Sequence, residues 1–584
     1  MNSTKIINKI VRYKFHFLIL FFSIHQLLYL PKIGSWWDEP YDQLGAKLTI
    51  GKIKYFFFDI ESNEYRFDFS DHEFFGMFYQ LQAFYFSKIG IFYKNLNLNL
   101  LDIRSEIHFV YYLRHFYLHI YFCILIFFIY SLLKKLESEK FAFIYVLVLI
   151  LIPSINGYSL FDDKDIPFGL HLFLAFLSYT LFIKNFKEEK NISNKTLFLT
   201  GLSFGLVLLI RFNGIAFLIF ILASLNIQKL GRIKNLKFLI YNFQIGLYSL
   251  IVFLIGTIQG FDNYYKYLKN LYWQQFKVST WFGETIVNGE VFYRSGDISY
   301  IFKILFYKLP PVYFISLLVL VIFYKNFKYN LLINSSLIFL ALFFTAFIVF
   351  KPAAYNYERQ YIFLFFFLTL LVTSGVYLIA SRKLQTTFLL TLIISTIYSQ
   401  SGLGEYKYVY LNEFVDENKI SFINDDCFIN NNCGQWSTDH LSVSGISMSD
   451  MISSANMPIF VCAPYHTVSI FNSKENLVDL DGKYTYKSGV DTFDYTIKRV
   501  NIEKNGTEKK VFRNKDIFNS FLEKEITKEF LIVSQHIISS NGNQCLYNLK
   551  KENDLKCTLE KENYAFMRNT KITINFMLKC NIEM

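Results

Sequence analysis

The 584-residue sequence lacks a Walker phosphate-binding loop and a glycine-rich dinucleotide fingerprint. It has no C-x-x-C pair, which disfavours a zinc site, and it has no internal repeat or low-complexity tract. No small-x-small cleavage site follows the first apolar segment, so we expect this segment to remain as a membrane span. These absences exclude the nucleotide-binding classes that such motifs define and leave hydrophobic patterning as the main signal.

Apolar and aromatic residues are abundant instead. Hydrophobic residues make up 53% of the chain and aromatic residues 20%, and the mean hydropathy is +0.28. This composition is too apolar for a water-soluble enzyme and too often interrupted for a single anchor, so it predicts a polytopic membrane protein. The net charge of +12 could indicate a nucleic-acid partner. The basic residues lie in short groups between apolar runs, however, so we interpret them as topology signals and expect no nucleic acid.

About eleven apolar runs are candidate membrane spans at the usual length of roughly 20 residues. The first, at residues 15–30, follows four cations, which predicts a cytoplasmic N-terminus. The others lie near residues 116–133, 141–157, 168–183, 196–210, 212–225, 238–258, 310–324, 331–350, 361–380 and 386–399. Basic connectors alternate with basic-poor ones, and an odd number of spans puts the C-terminal region outside. We therefore expect a multi-pass protein of the cytoplasmic (inner) membrane.

The apolar stretch at residues 74–93 is long enough to be mistaken for a further span. If it crossed the membrane, every later basic connector would move to the outer face, against the positive-inside rule. We therefore expect an interfacial helix in the first outer loop, with Gln80, Gln82 and Lys88 on its water-facing side.

The chain is predicted to form two domains. The first is a transmembrane domain at residues 1–401, with outer loops at 31–115, 158–167 and 259–309. In the second, residues 402–584, long apolar runs stop and polar residues rise. Short β-like runs there alternate with polar turns, at residues 458–461, 467–471, 492–500, 530–533 and 571–578. This pattern predicts a mixed α/β extracytoplasmic domain.

Six of the seven cysteines lie in the second domain. An even number in a domain placed outside the cytoplasm is consistent with disulfides, although the sequence leaves their pairing open. We expect the local pairs Cys427/Cys433 and Cys545/Cys557, and a zinc site is the rival interpretation.

Two adjacent carboxylates, Asp38 and Glu39, stand at the outer mouth of the first span. Trp36 and Trp37 precede them, and tryptophan rings favour the headgroup layer, which places the acids at headgroup depth. An acid pair at that depth could serve catalysis. The simpler interpretation is a solvated turn, since Asp-Glu-Pro is an ordinary way to leave a helix end.

The connector at residues 161–168 places three carboxylates and a lysine in one short loop: Asp162, Asp163, Lys164 and Asp165. Such a charge density beside a membrane is costly unless the groups bind something. The alternative is a solvated hairpin between the third and fourth spans.

A second set of charges on the predicted outer face consists of Arg114, His115, Arg211 and Arg359. Arg211 interrupts an apolar stretch at the outer end of its helix, where a buried arginine needs an anionic partner. Planar guanidinium groups suit phosphate. The alternative for Arg211 is a salt bridge to an acid on a neighbouring helix.

Acids, cations and a membrane together favour the transfer of a group from a lipid-linked donor. Nucleotide-activated substrates are generally absent outside the cytoplasm, so the donor must arrive through the bilayer, and a polyprenyl-phosphate sugar meets that need. One carboxylate would take a proton from the acceptor hydroxyl as it attacks the anomeric carbon, while arginines or a metal ion hold the departing phosphate.

Several motifs resemble the protein O-mannosyltransferase and aminoarabinose-transferase group of polytopic glycosyltransferases with the C-type fold (GT-C). The resemblance covers roughly residues 30–440. It rests on Asp38-Glu39, Leu113-Arg114-His115, Asp163-Lys164-Asp165-Ile166-Pro167-Phe168, Gly201-x-x-x-Gly205 with Arg211, Tyr355-x-x-x-Arg359 and residues 406–412. It implies an α-helical, GT-C-like polytopic membrane fold. Close bacterial relatives have a histidine after the last arginine, where this chain has Gln360.

The resemblance also implies a role for each charged group. Asp38 would be the catalytic base, with Glu39 as its catalytic neighbour. The acceptor- or metal-binding residues would be Asp163, Lys164 and Asp165. If Mg²⁺ or Mn²⁺ takes part, Glu39 and Asp165 would be its ligands. The phosphate of the donor would contact Arg114, His115, Arg211 and Arg359.

Three functions remain as hypotheses. The first is an inverting glycosyltransferase that moves a sugar from a polyprenyl-phosphate-linked donor to a glycan, lipid or protein acceptor on the outer face of the membrane. The second is a transporter or flippase of a lipid-linked saccharide, but transporters favour acids near the bilayer midplane, and here the acids lie in outer loops. The third is a non-catalytic assembly scaffold, which leaves the Asp38-Glu39 pair unexplained.

Overall fold

The structure is a computed structural model of the chain. The residues that it describes are 13–36, 39–58, 77–89, 103, 106–189, 192–227, 236–257, 260, 263–276, 284–293, 297–327, 330–354, 356–379, 381–421, 434–438, 443–455, 457, 459–462, 500–504, 507–512, 529–535 and 555–582. Asp38 and three of the cysteines assigned to disulfides, Cys427, Cys433 and Cys545, lie outside these ranges.

Helices form most of the described chain up to residue 400. They are α1 (Lys14–Leu27), α2 (Glu39–Phe58), α3 (Met77–Ser87), α4 (Glu106–Leu136), α5 (Glu139–Leu151), α6 (Pro153–Tyr158), α7 (Asp165–Lys187), α8 (Asn194–Ile210), α9 (Gly214–Ile227), α10 (Leu236–Gly256), α11 (Tyr264–Phe276), α12 (Ile298–Lys308), α13 (Pro311–Ile322), α14 (Leu331–Phe350), α15 (Phe363–Leu378), α16 (Arg382–Gln400) and α17 (Gly445–Ser454). The Ser138 hydroxyl caps α5 by accepting a hydrogen bond from Phe141 N at 3.1 Å, which satisfies a backbone N–H that has no partner within the first turn.

Five of the described helices are long and apolar enough to cross a membrane, or six if the bent pair α12 and α13 is one span. The helices α8, α9 and α15 are shorter and also apolar. The chain is therefore a multi-pass membrane protein. The number of about eleven spans, the inner membrane, the orientation and the domain boundary at residue 401 stay predictions.

The run at residues 141–157 does not form the single continuous span that we predicted. Helix α5 ends at Leu151, Ile152 has an extended backbone, and α6 begins at Pro153. A residue before proline is pushed out of helical geometry, whereas proline fits the first turn of a new helix. This break turns the chain toward the charged loop at residues 162–165.

Helix α7 lies at the centre of the helical bundle. Within its apolar window 94% of the residues are buried, against 22% for α10, and α7 packs against α4, α8 and α15. Helix α8 in turn packs closely on α10, because a Cβ atom at Gly205 would lie only 2.6 Å from the Cβ of Val252. The charged loop therefore begins the most buried of the five candidate spans.

Helix α3 confirms a helix within the stretch 74–93, but the predicted orientation is wrong for one residue. Lys88 is exposed, and Gln82 is partly buried and accepts a hydrogen bond from Tyr117 OH at 2.5 Å. Gln80 is fully buried instead of facing water, because its amide oxygen accepts a hydrogen bond from Arg114 Nη2 at 2.7 Å.

The predicted outer loop at residues 259–309 contains α11, α12 and a hairpin of two strands. The hairpin strands β1 (Glu284–Val287) and β2 (Glu290–Tyr293) are antiparallel. Neither strand was predicted from the sequence.

A six-stranded mixed sheet forms the described C-terminal part, which confirms the predicted mixed α/β character. Its strands are β3 (Ile459–Cys462), β4 (Val500–Lys504), β5 (Thr507–Phe512), β6 (Glu529–Gln535), β7 (Leu555–Met567) and β8 (Thr570–Ile582). Their order is β4-β5-β3-β6-β8-β7, with β3 parallel to β5 and β6 and the other pairs antiparallel. The predicted run at 467–471 and most of 492–500 lie outside the described residues.

The predicted disulfide Cys545/Cys557 is wrong. Cys557 is bonded to Cys580, and these two residues stand opposite each other on β7 and β8, with Cα atoms 4.1 Å apart. Antiparallel pairing brings together residues that are distant in sequence, whereas our prediction favoured the nearest cysteine along the chain.

Candidate active site

The loop at residues 162–165 joins α6 to α7 and is almost completely buried. Asp162 holds its shape, because Oδ1 accepts hydrogen bonds from the backbone N–H groups of Lys164 at 3.2 Å and Asp165 at 2.9 Å. Asp163, Lys164 and Asp165 each keep at most 5% of their surface exposed. The interpretation as a solvated hairpin is therefore wrong, and each buried charge requires a partner.

Arg114 of α4 connects the loop to the start of α2. Its Nε lies 3.0 Å from Glu39 Oε1, and its Nη2 lies 3.0 Å from Asp163 Oδ2. The neighbouring His115 contributes Nε2, which lies 3.0 Å from the other oxygen of Glu39. Glu39 begins α2, where the helix dipole favours a carboxylate. Since Glu39 is fully buried, the interpretation of this position as a solvated turn is also wrong.

Lys164 forms a second connection between the loop and α2. Its Nζ lies 2.8 Å from Asp42 Oδ1 and 5.3 Å from the centre of a Trp36 ring. The guanidinium carbon of Arg359 lies 4.9 Å from a ring of the same tryptophan. The buried indole of Trp36 thus offers an aromatic surface, favourable for cations, to both a lysine and an arginine.

Asp165 has two guanidinium partners from distant parts of the chain. Oδ1 forms an ion pair with Arg211, which ends α8, and Oδ2 lies 3.1 Å from Arg359 Nε. Arg359 is buried, whereas 15% of the Arg211 side chain is exposed. The salt bridge to an acid on a neighbouring helix, which we considered as the alternative for Arg211, is therefore present.

The two sides of this loop have opposite charge balances. On one side, Arg114 faces the two carboxylates Glu39 and Asp163. On the other side, the single carboxylate Asp165 faces the two guanidinium groups of Arg211 and Arg359. We name these the Arg114 side and the Asp165 side. The first has more carboxyl groups than guanidinium groups, and the second has an excess of positive charge.

Burial changes the proton affinity of the loop carboxyl groups. Burial and, secondly, the charge of Asp165 raise the pKa of Asp162 from 3.8 to about 7. Burial and the charge of Asp42 hold the pKa of Asp163 well above its usual value. At neutral pH Asp162 therefore carries only part of a negative charge, which preserves the positive excess of the Asp165 side.

The predicted site residues that the structure describes all belong to this network, but they divide differently from the predicted roles. Arg114 and His115, which we assigned to the donor phosphate, contact Glu39. Only Arg211 and Arg359 form the cationic pair. Asp38 lies outside the described residues, between the described Trp36 and Glu39, so its predicted role as catalytic base stays a prediction.

The predicted metal ligands Glu39 and Asp165 lie on different sides of the loop. Each contacts positively charged or imidazole side chains, and the described residues contain no group of three His, Cys, Asp or Glu side chains arranged to hold an ion. The residues that the structure describes at these two positions therefore do not fit a shared metal site.

Three features of the network were not assigned from the sequence. Gln80 and Asp42 complete the contacts of Arg114 and Lys164. Next to Arg359, buried Glu358 lies 3.3 Å from Lys308 Nζ. A glutamine in an apolar helix and charges 50 residues apart carry no sequence signal of pairing. For Asp42 the sequence did contain a signal, because a residue three positions after Glu39 lies on the same face of a helix.

Comparison with known proteins identifies similar folds only among solved structures. No family model and no curated protein matches the chain. ArnT from Cupriavidus metallidurans bound to undecaprenyl phosphate is 10% identical, with a TM-score of 0.48 and coverage of 97% of this chain and 98% of that chain. Its apo state is 9% identical with the same TM-score and coverage.

The archaeal oligosaccharyltransferase AglB from Archaeoglobus fulgidus, in complex with an inhibitory peptide and a dolichol-phosphate, is also similar. It is 12% identical, with a TM-score of 0.41 and coverage of 79% of this chain and 64% of that chain. Since these TM-scores lie below 0.5, the function proposed below is based on the sequence of this chain and on the geometry of its described residues.

Proposed function

We propose that the chain is a glycosyltransferase that moves a sugar from a polyprenyl-phosphate-linked donor to an acceptor at the outer face of the cytoplasmic membrane. The acceptor classes are a glycan, a lipid or a protein. The observation that supports this proposal most directly is the Asp165 side of the loop, where two guanidinium groups share one carboxylate.

The Asp165 side has the properties of a phosphate site. Two guanidinium groups against one carboxylate leave a positive excess that a lipid phosphate can balance. Arg211 is partly exposed, so a ligand can reach it, and Arg359 is buried against Trp36. As the phosphate leaves the anomeric carbon with the bonding electrons, the two cations stabilise the charge that develops on its oxygens.

The proposed reaction also needs a proton acceptor. A carboxylate takes the proton of the acceptor hydroxyl while the hydroxyl oxygen forms a bond to the anomeric carbon. We assign this role to Asp38, with Glu39 as its described neighbour. Attack from the side opposite the leaving phosphate inverts the configuration at the anomeric carbon. A single displacement needs a base on one side of the anomeric carbon and positive charge on the other, and the carboxyl groups and the arginine pair lie on different sides of the loop.

A divalent cation would supply additional charge compensation for the phosphate. Because Glu39 and Asp165 already contact side chains of the protein, we base the proposal on the arginines. Transfer in the presence of a chelator is the measurement that decides whether an ion is needed.

The proposal is tested with purified full-length protein in lipid nanodiscs. We expect wild type to bind undecaprenyl phosphate and to release it from a matching polyprenyl-phosphate sugar when the acceptor is added, as measured by mass spectrometry. Arg211→Ala and Arg359→Ala should both weaken binding. Arg382→Ala, at an exposed arginine that begins α16, is the matched control. Equal binding by all four proteins would reject the phosphate assignment, and unchanged transfer by Asp38→Asn would reject the base.

A further inference from the structure

A strained backbone segment leads directly into Arg359. Asn356 and Tyr357 have φ angles of 56° and 55°, in the left-handed region. Asparagine tolerates this region, but it is unfavourable for a bulky residue such as tyrosine because Cβ crowds the backbone carbonyl oxygen. Such a conformation persists only when surrounding contacts hold it in place.

The hairpin β1–β2 supplies the contacts on one side. The backbone N–H of Asn356 donates a hydrogen bond to Thr285 Oγ1 at 3.2 Å. The Tyr357 hydroxyl donates to the carbonyl oxygen of Ile286 at 2.8 Å. Tyr357 is 2% exposed, so the bond of its hydroxyl is shielded from water. The hairpin therefore fixes both residues of the strained segment.

Residues 434–438 supply the contacts on the other side. The backbone N–H of Ser437 donates to the Tyr357 hydroxyl at 3.0 Å, and the Trp436 ring stacks on the Tyr357 ring with centroids 5.9 Å apart. This segment is anchored to the sheet, since the Thr438 hydroxyl donates to the carbonyl oxygen of Thr573 on β8. Tyr357 thus links the C-terminal sheet to the helical bundle.

The two residues after Tyr357 carry this link into the candidate active site. Glu358 Oε1 accepts a hydrogen bond from Ser154 Oγ at 2.8 Å and lies 3.3 Å from Lys308 Nζ. Arg359 then reaches Asp165 and Trp36. The direction of the Arg359 side chain consequently depends on the backbone of the two residues before it, Tyr357 and Glu358, whose side chains are held by these contacts.

We propose that Tyr357 is a positioning residue through which the hairpin β1–β2 and residues 434–438 hold Arg359 against Asp165. Its role in binding a lipid phosphate rests on the proposed function of Arg359. Removing the Tyr357 hydroxyl leaves the Ser437 N–H and the Ile286 carbonyl without this partner. The strained backbone is then free to relax, and Arg359 loses its fixed direction toward the phosphate.

The first test measures, without any ligand, whether the contacts of Tyr357 hold the strained backbone in place. In Tyr357→Phe we expect faster backbone hydrogen exchange at residues 356–361 of the full chain. Tyr324→Phe is the matched control, because the Tyr324 hydroxyl donates to Asn334 Oδ1 at an exposed position in a different connector. Exchange at 356–361 that is the same in wild type, variant and control overturns the inference.

The second test asks whether Tyr357 acts through Arg359. We expect Tyr357→Phe to weaken binding of undecaprenyl phosphate about tenfold, the size expected for about one lost hydrogen bond. In an Arg359→Ala background the same substitution should have no further effect. An equal loss in both backgrounds would show a general structural role and overturn the inference.

A second variant keeps the inference testable if Tyr357→Phe does not fold. Thr285→Val removes the hydroxyl that accepts from Asn356 and keeps the side-chain shape, so it should give the same pattern with a smaller loss. If wild type and Arg359→Ala bind the lipid phosphate equally, the proposed function fails. Hydrogen exchange alone then decides whether Tyr357 holds the backbone before Arg359.

Discussion

The two sides of the loop at residues 162–165 differ in charge balance although Asp163 and Asp165 are separated by one residue. Arg114 faces two carboxylates, whereas Asp165 faces two guanidinium groups. Both sides are buried, and both are networks of ion pairs, so the number of pairs does not distinguish them. Their net charge distinguishes them, because an excess of one sign in a buried site indicates where a ligand of the opposite charge would bind.

The largest effect is expected from Asp165→Asn. Arg211 and Arg359 lose their shared counter-ion, and an uncompensated buried charge costs about 3–5 kcal/mol of folding free energy. We expect a large fall in Tm, and undecaprenyl phosphate should restore more of the Tm in this variant than in wild type. Glu290→Gln is the control, since Glu290 forms an exposed pair with Lys303. A variant as stable as wild type would show that Asp165 does not balance the two arginines.

Exchanging an arginine on each side should separate stability from ligand affinity. Arg211→Met removes the partly exposed guanidinium group that we assign to the phosphate, so affinity for undecaprenyl phosphate should fall about ten- to a hundredfold. Arg114→Met leaves Glu39 and Asp163 without their common cation, so it should lower Tm and change affinity by less than about threefold. Titration and thermal unfolding of both variants measure the difference. Equal losses of affinity would remove the distinction between the two sides.

The pH dependence of stability should report on Asp162. Its pKa is about 7 in the folded protein and 3.8 without the fold. Its contribution to the free energy of unfolding is therefore complete below about pH 4 and is lost as the pH rises through about 7. Between these values the folded state keeps a proton that the unfolded state has released. Asp162→Asn keeps an oxygen that can accept the loop hydrogen bonds and removes the titration. Between pH 5 and pH 8, Tm should therefore fall more in wild type than in the variant, and parallel curves would contradict this assignment.

The smallest effect is expected from Gln80→Leu on the Arg114 side. This change removes the hydrogen bond from Arg114 Nη2 and a long one, at 3.5 Å, from Gln80 Nε2 to the backbone oxygen of Asp163. The first should cost about 1 kcal/mol or slightly more, because the donor is charged. Affinity for undecaprenyl phosphate should not change. Gln82→Leu, on the same helix, is the matched comparison for thermal unfolding, because it removes a hydrogen bond from the uncharged Tyr117 hydroxyl at a partly buried position. A loss of lipid affinity in Gln80→Leu would place the phosphate on the Arg114 side.

The convergence of charged groups could be predicted from the sequence, but their pairing could not. Asp163, Asp165, Arg211 and Arg359 all stand beside apolar runs, and charges at such positions are costly unless they meet one another or a ligand. Which acid meets which cation depends on helix packing across the whole chain. The division between Arg114 and Arg211 therefore became visible only in the structure.

Other differences between the predicted and the observed structure had signals of unequal strength in the local sequence. Pro153 marks the break between α5 and α6, since the residue before a proline disfavours helix, and this signal was present in the sequence. The Cys557–Cys580 bond had no comparable signal, because the register of β7 and β8 decides it. The strained segment at Tyr357 likewise depends on contacts from residues 285 and 437, which no local pattern connects.

The most direct test of the division between the two sides is a density map of the full chain with undecaprenyl phosphate bound. The phosphate should lie within about 3 Å of the guanidinium groups of Arg211 and Arg359, with Asp38 and Glu39 on the opposite side of the sugar position. A phosphate bound to Arg114 and His115, or bound away from both sides of the loop, would contradict the account.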